Sequence, residues 1–190
     1  MFLARRPSQA FVEQFVRDSQ PLPLTCTTPS VLDREIAAGR HDEIVGTIGH
    51  GANDFVRARE ALMAWDHFAL GWVDLLPRGA PVVPDTVVAV LIRHLGFWSL
   101  NGCRVLAVDD QPASFAFTYG TLPNHAEAGE ERFEVMLDAA HAHVRYRIRA
   151  ISSPYALLAR LGYPVVRALQ ARFRRDSLAA MQRAVHARSR

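Results

Sequence analysis

The chain has 190 residues, 49% hydrophobic and 22% charged, a composition that supports one domain with a buried core. All 22 basic residues are arginine, so Schiff-base chemistry, a P-loop phosphate lysine and a lysine general base are excluded; every cationic side chain other than histidine is a guanidinium that keeps its proton. The net charge of +3 is uneven, because 145–190 hold 11 arginines against Asp176 while 1–144 hold 11 arginines against 18 acids.

Pairing between these two parts is the expected consequence, with an anionic surface as the alternative use of the basic end. The apolar run 86–92 is far below the roughly 20 residues of a bilayer span. Arg5, Arg6 and Pro7 follow only three apolar positions, which leaves no signal-peptide core and makes the cytoplasm the expected address. Cys26 and Cys103 stand far apart without CxxC spacing and read as ordinary thiols.

In chain order, Ser8 caps a short amphipathic helix carrying Phe11, Val12, Phe15 and Val16, which Pro21 and Pro23 end. An irregular arm to Arg40 packs on the main body, dividing the chain into a 1–40 arm and a 41–190 domain. Ile44 to Ile48 form a strand. The next helix, capped by Asn53 or Asp54, carries the stripe Phe55, Ala58, Leu62, Trp65 and Ala69 and stops at Gly71.

The period then changes to that of strands. These are Trp72 to Leu75, Thr86 to His94, a hairpin of Arg104 to Val108 with Ser114 to Leu122, and a second hairpin of Arg132 to Leu137 with Val144 to Ile151. In the second hairpin Phe133, Val135 and Leu137 share one face and Val144, Tyr146, Ile148 and Ala150 share the partner's. With Asp138 opposite His143, Glu134 falls opposite Arg147, giving a solvated face of ion pairs; an arginine-lined anion site is the functional alternative. A final helix of some 24 residues starts near Pro164, its apolar stripe being Leu161, Val165, Leu169, Phe173, Leu178, Met181 and Val185. The plan is α+β: a curved antiparallel sheet gripping a long C-terminal helix, with an N-terminal helical arm.

Several phrases carry a resemblance. They are Val45-Gly46 with the helix from Phe55 to Trp65, Trp98-Ser99-Leu100-Asn101, Cys103-Arg104-Val105, Tyr119-Gly120-Thr121-Leu122-Pro123 with His125, Gly129-Glu130-Glu131-Arg132-Phe133, and the stretches 158–164 and 172–178. In these the chain resembles the family catalogued as domain of unknown function 1990, which is similar in plan to the START and Bet v 1 helix-grip superfamily. The resemblance implies the helix-grip fold and brings no settled activity. Cys26 departs from an expected aromatic, and Arg147 and Arg149 from an expected lower charge.

Tyr119, Thr121, His125, Glu130, Glu131 and Arg132 place acid, base and cation within 14 residues. Tyr119 and Thr121 share a face with Phe115 and Phe117, so on a cavity wall their hydroxyls would orient a ligand among apolar groups. His125, Glu130 or Glu131 would serve as general base. The bland alternative is a loop in which a glutamate pairs with Arg132 or Arg104. Trp98 and Asn101 form an aromatic-polar knot that is either core packing or a pocket wall.

His141 and His143 suit a metal pair but lack a third ligand, and Gly49-His50-Gly51 lacks a phosphate-loop pattern, so neither a metal nor a cofactor is expected. The ligand-binding set is thus Trp98, Asn101, Phe117, Tyr119, Thr121, His125, Glu130, Glu131 and Arg132. Its expected partner is a small hydrophobic or amphipathic molecule, with nucleic acid not expected and the oligomeric state open. Two other readings stand beside this one: an acid-base enzyme of the cyclase or hydratase kind, and a peripheral membrane- or anion-binding protein using the basic helix.

Overall fold

A computed structural model of the chain describes residues 1–25, 32–33, 41–94, 96–138, 140–154 and 163–188. Cys26, most of the arm to Arg40, and the phrase around Leu161 lie outside the described residues. Among the described residues eight antiparallel strands form one curled sheet: β1 (Phe2–Leu3), β2 (Asp42–His50), β3 (Val73–Leu76), β4 (Val87–His94), β5 (Phe97–Gln111), β6 (Ser114–Thr121), β7 (Glu127–Asp138) and β8 (His143–Pro154). Their order is β2-β8-β7-β6-β5-β4-β3, with β1 added to β5 at Trp98 and Ser99, beyond the end of β6. The described helices that pack on this sheet are α1 (Gln9–Ser19), α2 (Gly51–Met63) and α3 (Tyr163–Ala187).

The side-chain alternation of the strands sorts the sheet into two faces. Val88, Val90, Cys103, Val105, Phe117, Phe133 and Ile148 point to the concave face and build the main core with α2 and α3. Ala89, Leu91 and Leu100 point the other way and are covered by Val12 and Phe15 of α1, whose Ser8 cap accepts from the Phe11 N–H at 3.3 Å. Phe11 itself is exposed.

The second hairpin has the expected register, Glu134 opposite Arg147 and Asp138 opposite His143. Glu134 accepts from both Arg147, at 2.5 Å, and Arg149, at 3.3 Å, on the convex face. Both strands run farther than the apolar pattern suggests, β7 starting at Glu127 and β8 reaching Pro154. The first hairpin is longer too. Its turn is only Pro112 and Ala113, and β5 begins at Phe97 because it pairs with β4 back to His94.

The helix expected to reach Gly71 stops at Met63. Trp65 adopts a left-handed backbone, φ 62°, and its indole N–H donates to the Ala80 carbonyl at 2.8 Å. A 3₁₀ turn, Asp66–Phe68, then carries His67 and Phe68 into the core. The cap also differs. His50 precedes the helix, and Asp54 reaches back to accept from the His50 N–H at 2.7 Å, holding its carboxyl below the usual range.

α3 is 25 residues long, about 37 Å at the usual rise. Its second half buries Met181 and Val185 against α2 and the sheet, and Tyr146 and Ser177 share a hydrogen bond at 2.9 Å. Val165 is exposed, and in the first half the inward side chains are Val166, Leu169 and Phe173. The C-terminal arginines meet acids of the rest of the chain: Arg167 and Arg174 on Asp42, Arg188 on Glu60 and Asp66, Arg145 on Asp138. No described helix is long and apolar enough to cross a membrane.

Candidate functional site

Beneath the first half of α3 the concave face is not filled. A cavity of about 160 Å³ lies between the helix and the ends of β4 to β8. The aromatic side chains Phe68, Trp72, Tyr119 and Phe173 and the aliphatic side chains of Val90, Ile92, Val166 and Leu169 supply its apolar wall. Trp72 also ties the sheet edge to the helix, donating its indole N–H to Asp176 at 2.9 Å while Arg172 stacks on its ring. Phe2 lines the same space and meets His94 edge-on at 6.1 Å.

The polar wall comes from β7 and its neighbours. Glu127, Gly129 and Glu131 alternate onto the concave face, with Tyr119 directly opposite Glu131 and Ser152 opposite Gly129. The Tyr119 hydroxyl donates to Glu131 Oε2 at 2.7 Å. Burial pushes the Glu131 carboxyl up to about 7, against the lowering effects of the Tyr119 hydrogen bond and of Arg174. Its accessible surface opens on the cavity. Burial also raises Glu127, whose Oε1 accepts from Gln170 at 2.6 Å and from Ser152 at 3.2 Å.

His125 follows β6 in the connection to β7. Its Nδ1 is held by the Glu127 backbone, 2.9 Å from the N–H and 3.0 Å from the carbonyl oxygen. Burial lowers His125 to about 4, so the imidazole is neutral at pH 7. Near neutral pH the cavity therefore holds a neutral histidine, a carboxyl poised to gain or lose a proton, and a tyrosine hydroxyl bonded to it.

The residues singled out from sequence separate here. Asn101, Tyr119, Thr121, His125, Glu130 and Glu131 line the cavity. Of these, Asn101 is committed to the fold: its amide donates to Val90 O and Ser99 Oγ, and its oxygen accepts from the Ala126 N–H. Thr121 is likewise bonded to Gly129 and Thr25. Glu130 alternates away from Glu131, and its carboxylate accepts from the Leu32 N–H at 3.0 Å.

Phe117 is fully buried in the core, 5.2 Å from the Phe133 ring, and is not part of the cavity wall. Trp98 lies an odd number of residues from Asn101 and so faces the α1 side, under Arg6 at 5.3 Å. Arg132 is on the convex face, 2.7 Å from Asp109. The loop pairings expected for the glutamates do not form, since Arg104 donates to the Gln20 and Leu22 carbonyls. His141 meets Asp138 and His143 packs on the His50 ring; among the described residues no three His, Cys, Asp or Glu side chains are grouped to hold a metal ion.

Glu127, Ser152, Trp72 and Gln170 were not legible as site residues. Glu127 sits on a segment without apolar period and Gln170 is a polar residue beside the apolar stripe of α3, so only the pairing of β7 with β8 and the docking of α3 join them.

Comparison with known proteins places this arrangement. Residues 33–180 match the family described as Domain of unknown function (DUF1990). A UPF0548 protein of Dictyostelium discoideum is 31% identical over 97% of this chain and 96% of its own length. Among solved structures, TTHA0849 from Thermus thermophilus aligns with a TM-score of 0.58 at 15% identity, covering 79% of this chain and 99% of that one. The Zhui aromatase/cyclase from Streptomyces sp. R1128 aligns with a TM-score of 0.52 at 16% identity over 80% and 96%. At such identities the two structures share the fold, a helix-grip sheet with its C-terminal helix, and nothing finer. By its match across most of its length and its full-length relative, the chain belongs to the DUF1990 (UPF0548) family.

Proposed function

We propose that the protein binds a small apolar or amphipathic molecule in the cavity between the sheet and the first half of α3. The observation that carries this is the hollow itself: about 160 Å³ walled by Phe68, Phe173, Leu169 and Ile92, with a few polar groups converging at one end. A space of this size matches one aromatic ring with a short substituent, since an apolar cavity of about 150 Å³ suffices for benzene. The basic helix is a weaker basis for function because its arginines pair with acids of the same chain.

A second reading, acid-base catalysis, is favoured by one observation. Glu131, at about 7 and bonded to Tyr119, has the proton affinity a general acid or base needs at neutral pH, and it faces the same hollow as His125.

Thermal-shift and native mass spectrometry against small aromatic and aliphatic compounds test the binding reading. It predicts one-to-one complexes that raise the melting temperature in the parent protein and are lost in Leu169→Trp, which fills the hollow. Ligands that bind Leu169→Trp as well as the parent would place the site elsewhere.

A further inference from the structure

The two ends of the cavity are unlike in a way that selects a ligand. At the polar end stand two carboxyl groups, Glu127 and Glu131, on the same face of β7. Among the described residues neither has a cation within ion-pair distance, because the two guanidinium groups nearby are held by another acid. Arg167 donates to both oxygens of Asp42, and Arg174 approaches the same carboxylate at 3.4 Å. Glu131 spends Oε2 on Tyr119 and Glu127 spends Oε1 on Gln170 and Ser152, so Oε1 of the first and Oε2 of the second hold no hydrogen bond among the described residues.

Beside Glu131 the wall is aromatic. Tyr119, Phe68 and Phe173 are neighbours, with ring centroids 6.4 Å apart for Phe68 and Tyr119 and 5.2 Å for Phe68 and Phe173. An acid next to several ring faces is the environment that suits an organic ammonium group: the carboxylate takes its charge-assisted hydrogen bond and the rings its remaining surface. An anion meets two carboxyls in a space where Coulomb energies are large, and the one guanidinium among the described lining residues, Arg174, is already shared with Asp42.

We infer that the cavity takes a small amphipathic amine, its ammonium at Glu131 Oε1 against Tyr119 and its apolar body between Phe68, Phe173 and Leu169. This rests on the binding role proposed above and adds the chemical class of the ligand. Glu127 contributes negative potential from four residues away. His125 is neutral and adds no positive charge.

Three probes of one size separate the class from the cavity: benzylamine, benzyl alcohol and benzoate, titrated into the full-length protein by calorimetry at pH 6 and pH 8. The titratable and charged groups around Glu131 and the cavity are Tyr119 from β6, Glu127 from β7, Cys103 from β5, Tyr146 from β8, His94 from β4, Asp42 from β2, His125 from the connection, and Arg167 and Arg174 from α3. The expected order is amine over alcohol by about tenfold, the step from a neutral to a charge-assisted hydrogen bond, with benzoate weakest. The amine preference grows from pH 6 to pH 8 as Glu131 ionises. Glu131→Gln brings the amine-to-alcohol ratio near one and removes its pH trend, with a circular-dichroism melt showing the variant folded. Equal binding of amine and alcohol by the parent overturns the amine assignment and leaves the cavity reading standing. Binding of none of the three overturns both.

Discussion

His67 is the residue least explained by packing alone. It is fully buried, ringed by Trp65, Phe68, Phe117 and Phe133, and neither ring nitrogen finds a hydrogen-bond partner among the described residues. Burial lowers it to about 3, against about 6.5 in an unfolded chain. Between pH 6.5 and 3 the unfolded state therefore binds a proton that the folded state refuses, and stability falls as the pH falls through that window. His125, lowered to about 4, acts in the same direction. Replacing His67 with leucine, close to it in volume, removes two unpaired polar atoms. Urea unfolding of His67→Leu should show a gain of about 1–2 kcal/mol at pH 7 and a shallower acid decline than the parent. A loss of stability would mean the imidazole nitrogens are satisfied in solution.

At the scale of elements, β7 decides what the site is. Its second half, from Phe133, alternates cleanly and was legible, register included, because one face packs into a dry core. Its first half, Glu127 to Arg132, has no apolar period, since the concave positions there are Glu127, Gly129 and Glu131 facing a hollow; the polarity that makes a site removes the pattern that announces a strand. The same parity separates Trp98 from Asn101, a pair that looks like one cluster when the stretch is read as a loop. Gly129 shows how closely β7 and β8 approach beside the cavity: a Cβ there would collide with the Ile151 carbonyl oxygen and the Ser152 backbone, which cannot rotate away. Gly129→Ala should cost about 1–3 kcal/mol in a denaturant titration, the usual range for overpacking. It should also speed amide exchange at Glu130 and Ser152. An unaltered midpoint would show that the strands can part without cost.

The whole molecule is a sheet gripping a helix in two different ways. Toward its C-terminal end α3 is packed: Met181 and Val185 are sealed against α2, and Ser177 is bonded to Tyr146. Toward its N-terminal end it roofs a space, held by Arg167 and Arg174 on Asp42 and by Trp72 on Asp176. The α+β order, the long terminal helix and the pairing of basic tail with acidic body follow from periodicity and charge. The hollow does not, because the volume left between two apolar surfaces depends on where α3 sits rather than on which residues it carries. Six of the nine residues singled out from sequence reach it, and the three that do not, Trp98, Phe117 and Arg132, are directed elsewhere by strand parity or by position along the sheet.

The hollow is the central claim, and intermolecular nuclear Overhauser contacts from benzyl alcohol to the methyl groups of the protein test it most directly. The account predicts contacts from the ring protons to Val90, Ile92, Val166 and Leu169, all on the cavity wall. Contacts confined to exposed apolar side chains such as Val45, Val56 and Val83, with none to Leu169, would contradict it.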